Sequence, residues 1–187
     1  MKHPANREFF AYWNEQRGED IAPDRSAMAP DAVRHLLGDI FVLGYDLAKG
    51  YPVRVAGTRM CALLGSDLKG RSFTDLFSGD SRRNIEDILV IVAEESLATV
   101  AGVTASTSGG VPAHLELLLL PFSARAHTPL SLTGLLAPMT PHPGVLDHGA
   151  LGDFHLTSWR HIEPEPRRRA LRKWEMARGF MVYEGLR

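Results

Sequence analysis

His114 and Glu116 stand two positions apart in the phrase HLELLLLPF, a spacing that sets both side chains on one face of a β-strand. An imidazole and a carboxylate so placed can address one ligand, or supply two donors to a metal. Zinc takes three or four protein ligands, and the other histidines do not complete the set. His142, His148, His155 and His161 are scattered through the later segment without HExxH or any compact ligand spacing. No metal is therefore assigned, and a haem cannot be argued from one histidine alone.

Arg59, just beyond Gly57 and Thr58, is the best candidate for holding a small anion, because a guanidinium grips a carboxylate through two parallel hydrogen bonds. Glu116, Arg54 and Arg59 have an alternative reading as structural ion pairs, since a buried charge needs a partner. Cys61, in TRMCALLG, sits among apolar neighbours, where a thiol behaves as a small hydrophobe lining a core or a cavity. Its reactivity would require a lowered pKa and solvent access.

Catalytic signatures are missing. The chain contains no GxSxG, GxxxxGK[ST] or GxGxxG, so the nucleophile elbow, the P-loop and the dinucleotide loop are all excluded as motifs. Serine, histidine and aspartate occur, but sequence proximity cannot assemble a triad. The expectation is a non-enzymatic protein, with a small enzyme using a central cavity as the alternative.

Totals set further bounds. The 187 residues, 44% hydrophobic and 23% charged, suit one globular domain with appendages. Net charge is −1, so no global field draws the chain to nucleic acid or an anionic membrane. The basic residues concentrate late: from Glu163 onward seven Lys or Arg face four Glu. That tail carries Leu171, Trp174 and Met176 as apolar points on an expected helix over residues 167–178. One cysteine makes no internal disulfide, and no apolar run reaches the roughly 20 residues of a membrane span. A cytoplasmic protein is expected.

The elements that must position these residues follow from periodicity. Residues 6 to 17, NREFFAYWNEQR, form an aromatic-faced helix with Asn6 as cap and Gly18 as stop. A prolyl linker follows, then a short helix with Pro30 and Asp31 in its first turn, running through Leu37 to a stop at Gly38. Asp39 to Asp46 and Tyr51 to Gly57 make a hairpin about LAKG. A brief apolar helix spans Met60 to Leu64 before glycine breaks at Gly65 and Gly70. Ser81 to Ser96 is the longest clean helix, with Ile85, Ile88, Leu89 and Val92 on one stripe. Strands are expected at Ala98 to Ser106, Val111 to Phe122 and Leu130 to Met139, the last set off by HTP.

Alternation within the later strands is incomplete. Leu115, Leu117 and Leu119 face one way, while His114, Glu116, Leu118 and Leu120 face the other, so the far end is apolar on both sides. A sheet with one wet face alternates cleanly. This sheet should be covered twice, by the central helices on one side and by the aromatic helix or a second subunit on the other.

Element order and wording together resemble the PAS domain, and more narrowly a bacterial family of stand-alone PAS proteins. The phrases FFAYWNEQRG, APDRSAMAPDAVRHLLGDIFVL, VRVAGTRMCALLG, DLKGRSFTDLF, LELLLLPF and LTGLLAP carry the resemblance from Phe9 to Pro138. It implies an α+β fold with a five-stranded antiparallel sheet, short helices and one long connecting helix. It also implies a sensory or signalling role, with the short helices walling a small cavity. The flavin-type phrase NCRFLQ is absent, and the superfamily's ligands are diverse enough that the cofactor stays open.

The organisation expected is an N-terminal helical extension over 1–38, a core over 39–140 and a C-terminal extension over 141–187. Met60, Cys61, Leu64, Phe73 and Phe77 are the expected cavity lining, with Arg59, His114 and Glu116 as polar contacts. With no kinase, cyclase or DNA-binding domain in these 187 residues, a signal is expected to leave through a partner protein. A homodimer would bury the apolar outer face. A protein-interaction scaffold with a filled cavity is the third reading.

Overall fold

The computed structural model describes residues 1–123, 130–140 and 148–162. The helices are α1 (Pro4–Arg17), α2 (Thr58–Leu64) and α3 (Asp80–Glu94). The strands are β1 (Ile40–Gly44), β2 (Val53–Ala56), β3 (Ala98–Ser106), β4 (Pro112–Pro121), β5 (Ser131–Pro138) and β6 (His155–Ile162). They form one sheet in the order β2-β1-β5-β4-β3-β6, with every neighbouring pair antiparallel. The fold is α+β, as expected, but the sheet has six strands in place of five. The added strand is β6, which pairs with β3 from Ala98↔Ile162 to Thr104↔His155. Its phrase HLTSWRHI lacks apolar alternation because most of it is exposed at the sheet edge.

Two helices differ from the sequence reading, α1 in its start and the next in its type and length. α1 begins at Pro4, whose fixed φ suits the first helical position, and His3 is its cap, with Nδ1 accepting from the Ala5 amide at 3.2 Å. Asn6 lies inside the helix and is fully buried. The helix expected from Pro30 to Leu37 begins there but is a 3-10 turn, Pro30–Val33, followed by further turns. The expected basic helix over 167–178 and the HTP at 127–129 lie outside the described residues.

The stretch after β2 is organised by close backbone approach. The Gly38 carbonyl accepts from the amides of both Arg59 and Met60, at 2.9 and 3.0 Å, which satisfies two orphan donors at the start of α2. A carbonyl can come this near because residue 57 has no side chain. α2 then stops at Gly65, where φ is +64°, a conformation glycine adopts with little strain.

Each face of the sheet has its own core. On the inner face, Ile85, Ile88, Leu89 and Val92 of α3 pack on Leu115, Leu117 and Leu119, together with Phe41, Leu132 and Leu136. An aromatic chain runs through this layer: Phe41 stacks on Phe73 at 5.0 Å, Phe73 meets Phe77 at 5.7 Å, and Phe77 meets Phe154 edge-on at 5.5 Å. On the outer face, Phe9 and Trp13 of α1 cover Leu118, Leu120, Leu135 and Ala137. The Trp13 indole donates to the Pro121 carbonyl at 2.8 Å, so the buried ring leaves no unpaired N–H. The sheet is thus covered on both sides, and the outer cover comes from the same chain.

A methyl at residue 57 would stand 2.2 Å from the carbonyl oxygens of Leu37 and Gly38, where only backbone can yield. Gly57→Ala is expected to lower the free energy of unfolding by about 2–4 kcal/mol. Gly152→Ala, whose added methyl meets nothing nearer than 3.4 Å, is the control. Equal urea midpoints for the two variants would contradict this packing.

Candidate functional site

Glu116 is the best-partnered carboxylate of the outer face. It lies on β4, 7% exposed, facing the first residues of α1. Lys2 N–H donates to Oε2 at 2.6 Å, His3 N–H to Oε1 at 2.9 Å, and the Asn6 side-chain amide to Oε1 at 3.0 Å. The same Asn6 amide also reaches the Glu116 carbonyl at 3.1 Å. Burial by itself pushes the Glu116 carboxyl up, but the hydrogen bonds from Lys2, Asn6 and His3 outweigh it and hold the group below the usual carboxylate range. A negative charge here also opposes the positive end of the helix dipole. The carboxylate therefore pins the start of α1 to the sheet.

Arg59 makes a second anchor. Its Nε donates to Asp39 Oδ1 at 2.9 Å and its Nη2 to Oδ2 at 2.6 Å, the two-pronged geometry of a guanidinium on a carboxylate. Nη2 also reaches the His35 carbonyl at 2.7 Å. The hydrogen bond to Asp39 raises the Arg59 pKa against a smaller opposing effect of burial. The anion that Arg59 was expected to bind is thus Asp39 of its own chain. Arg54 and Arg59 do not pair with Glu116, whose donors come from the N-terminal segment.

Two grooves flank that segment. The first, about 420 Å³, lies over β3 between β4 and β6 and takes in His114, Glu116, Lys2 and Arg160. The second, about 660 Å³, runs between residues 2–5 and the Asp39–Arg59 pair. Lys2 and Met139 border both. His114 and Glu116 are therefore brought together on the outer face, as their spacing requires, and Arg59 lies across the N-terminal segment from them.

The apolar candidates occupy the other side of the sheet. Met60, Phe73 and Phe77 belong to the inner core, and Cys61 and Leu64 pack partly buried against it. None of the five borders either groove. In the same core the Tyr51 hydroxyl is buried and has no hydrogen-bond partner among the described residues. Burial, and then the neighbouring Tyr45, Glu94 and Glu86, raise its pKa.

The remaining histidines do not converge. His161 Nδ1 lies 2.8 Å from Thr99 Oγ1, His155 contacts Ser78 Oγ at 3.5 Å, and His142 is outside the described residues. Among the described residues no three His, Cys, Asp or Glu side chains gather in a way that could hold a metal. No described helix is long and apolar enough to cross a membrane.

The family of PAS domains matches residues 1–137, nearly three-quarters of the chain. The chain belongs to the PAS domain family. Members of that family are typically sensory and signalling modules. Comparison with curated proteins gives no match. Among solved structures, the light-state LOV domain of the blue-light photoreceptor Aureochrome1 has 10% identity and a TM-score of 0.44, covering 64% of this chain and 97% of that one. The PAS domain of Bordetella pertussis BvgS has 15% identity and a TM-score of 0.43, covering 63% and 90%. A Rhodobacter sphaeroides LOV protein has 14% identity and a TM-score of 0.44, covering 60% and 69%.

In this PAS domain the residues that complete the outer site, Lys2, Asn6 and Arg160, were missed in the sequence. Asn6 left a readable trace. It shares a helical face with Phe9 and Trp13, and a polar residue on an apolar stripe needs a buried partner. Lys2 and Arg160 left none, because one enters through its backbone and the other through an unforeseen strand.

The Glu116 attachment has a pH sign. The unfolded carboxyl titrates near 4.5, and the folded one lower. The stabilisation is fully present above the unfolded value, shrinks as pH falls below it, and is gone beneath the folded value. Glu116→Gln is expected to cost about 1–3 kcal/mol at neutral pH and to flatten the acid limb of the stability profile. An acid limb of unchanged steepness in the variant would show that Glu116 does not carry the effect.

Proposed function

We propose that this PAS domain is a non-enzymatic regulatory module that binds a small molecule, a partner protein, or both, and signals by changing how α1 packs on the outer face of the sheet. The observation that carries the reading is the attachment of α1: one buried carboxylate and an aromatic pair hold it across β4 and β5. Such an element has two arrangements, docked and released, that a ligand or a partner can bias. Release would expose Leu118, Leu120 and Leu135, an apolar strip of the kind that protein partners cover.

Within this reading the inner core is the proposed ligand chamber, lined by Met60, Cys61, Leu64, Phe73 and Phe77. The unpartnered Tyr51 hydroxyl supports it, since a polar atom in an apolar layer is available to a ligand's acceptor or donor. Residues 39–140 are the proposed core, with 1–38 as the regulatory extension and 141–187 as the C-terminal one. The proposed location is the cytoplasm. Self-association is the second reading, favoured by the exposed strand β6, whose outer edge pairs with no strand among the described residues and so suits a second copy.

Hydrogen exchange separates the docked from the released state. Trp13→Ala is expected to speed exchange of the α1 amides by at least about tenfold while leaving the α3 amides near their original protection. If α1 and α3 lost protection together, α1 would be an integral part of one cooperative unit and the regulatory reading would fail. Native mass spectrometry of protein purified from its own host then tests the chamber by a bound mass, and light scattering tests the second copy.

A further inference from the structure

We infer that the groove over β3 is a binding site for a small molecule carrying an oxyanion on an apolar body. The floor is made by alternate β3 positions, Val100, Gly102 and Thr104, which face away from α3. At its centre Gly102 contributes no side chain. A methyl there would stand 2.8 Å from Thr157 Oγ1 and 3.0 Å from Ser158 Oγ, so two hydroxyls already border the hollow. They do so because the β3–β6 register shifts between Gly102 and Val103, and an extra residue on one strand re-aims its side chains. Thr104 stands at the rim, its hydroxyl directed to the His155 carbonyl at 3.5 Å.

Charge gives the hollow its sign. Lys2 borders it on the side of α1 and Arg160 on the side of β6. Neither cation is paired with a carboxylate among the described residues. The acidic side chain of the groove, Glu116, is occupied by its three N–H donors. Hydroxyl donors between an ammonium and a guanidinium suit a carboxylate or a phosphate, and Val100 and Met139 supply apolar surface for the rest of the molecule. The space, about 420 Å³, is of the size small ligands use.

The site differs from the inner chamber, and only its consequence for signalling rests on the regulatory reading. Lys2 joins the two, since its backbone N–H holds Glu116 and the residue itself lines the hollow. An anion drawn to the Lys2 ammonium therefore acts on the residue that pins α1.

The test is an amide-resolved NMR titration of the full chain with benzoate, phenyl phosphate and neutral benzamide. Saturable shifts at residues 100–104 and 156–160 with benzoate or phenyl phosphate, and none with benzamide, are expected, and the better of the two anions tells carboxylate from phosphate. Arg160→Gln, an exposed change, should weaken the binding about tenfold, and Gly102→Val should abolish it by filling the hollow. An equal response to benzamide, shifts confined to residues 60–77, unchanged affinity in Arg160→Gln, or no saturable response to either anion would overturn the site. Binding without altered exchange of the α1 amides would leave the site standing and remove its link to regulation.

Discussion

A strand that is apolar on both faces has to be covered twice, and β4 imposes that requirement on everything around it. Leu115, Leu117 and Leu119 send their side chains toward α3, and Leu118 and Leu120 send theirs toward α1. Each fully buried leucine contributes roughly 1.5–3 kcal/mol relative to exposure, so leaving the outer pair wet would forfeit a large part of a small domain's net stability. Two helices more than sixty residues apart in the sequence, α1 and α3, meet the need, and their registers follow from the period of two on the strand between them. Glu116 lies on the same outward row, two residues before Leu118. The strand that requires α1 as a cover thus also carries the charge that positions its first turn.

The two covers differ in kind. α3 is a 15-residue amphipathic helix whose stripe interlocks with a wide aromatic and aliphatic layer. α1 is held by Phe9 and Trp13 at one end and by a polar cluster at the other. A hydrogen bond to a charged group contributes about 1.5–3 kcal/mol net, and it depends on protonation and geometry in a way that leucine packing does not. The outer cover is consequently the one whose attachment solution conditions and neighbouring charges can adjust. A family domain needs such an element if occupancy is to become a change of surface.

Most of this architecture was legible in the sequence because two signals were strong. The period of two in HLELLLLPF assigned both faces of β4, and the stripe of Ile85, Ile88, Leu89 and Val92 assigned the inner face of α3; the described structure keeps both. Glycine marked the ends of α1 and α2. The hidden part is the part that depends on backbone groups and edge strands. Glu116 was readable as a polar contact, but its principal donors are the main-chain amides of residues 2 and 3, which no side-chain pattern reveals. Arg59 was readable as an anion binder, yet Asp39 lay too far along the chain to be matched with it. β6 escaped because an edge strand exposed on both sides has no apolar period.

Those hidden elements are also the ones that shape the outer surface. β6 turns β3 from an edge into an interior strand, and its bulge supplies the hydroxyls around Gly102. The N-terminal residues close the opposite side of the same hollow while they cap the sheet's only buried glutamate among the described residues. One carboxylate therefore has two neighbourhoods: an apolar one, where α1 docks, and a polar one, where Lys2 and Arg160 stand without carboxylate partners among the described residues. The two neighbourhoods meet at one residue, Lys2, which donates to Glu116 through its backbone and lines the groove. The attachment of α1 and the lining of the groove are thus adjacent along the chain, with no long path through the core between them.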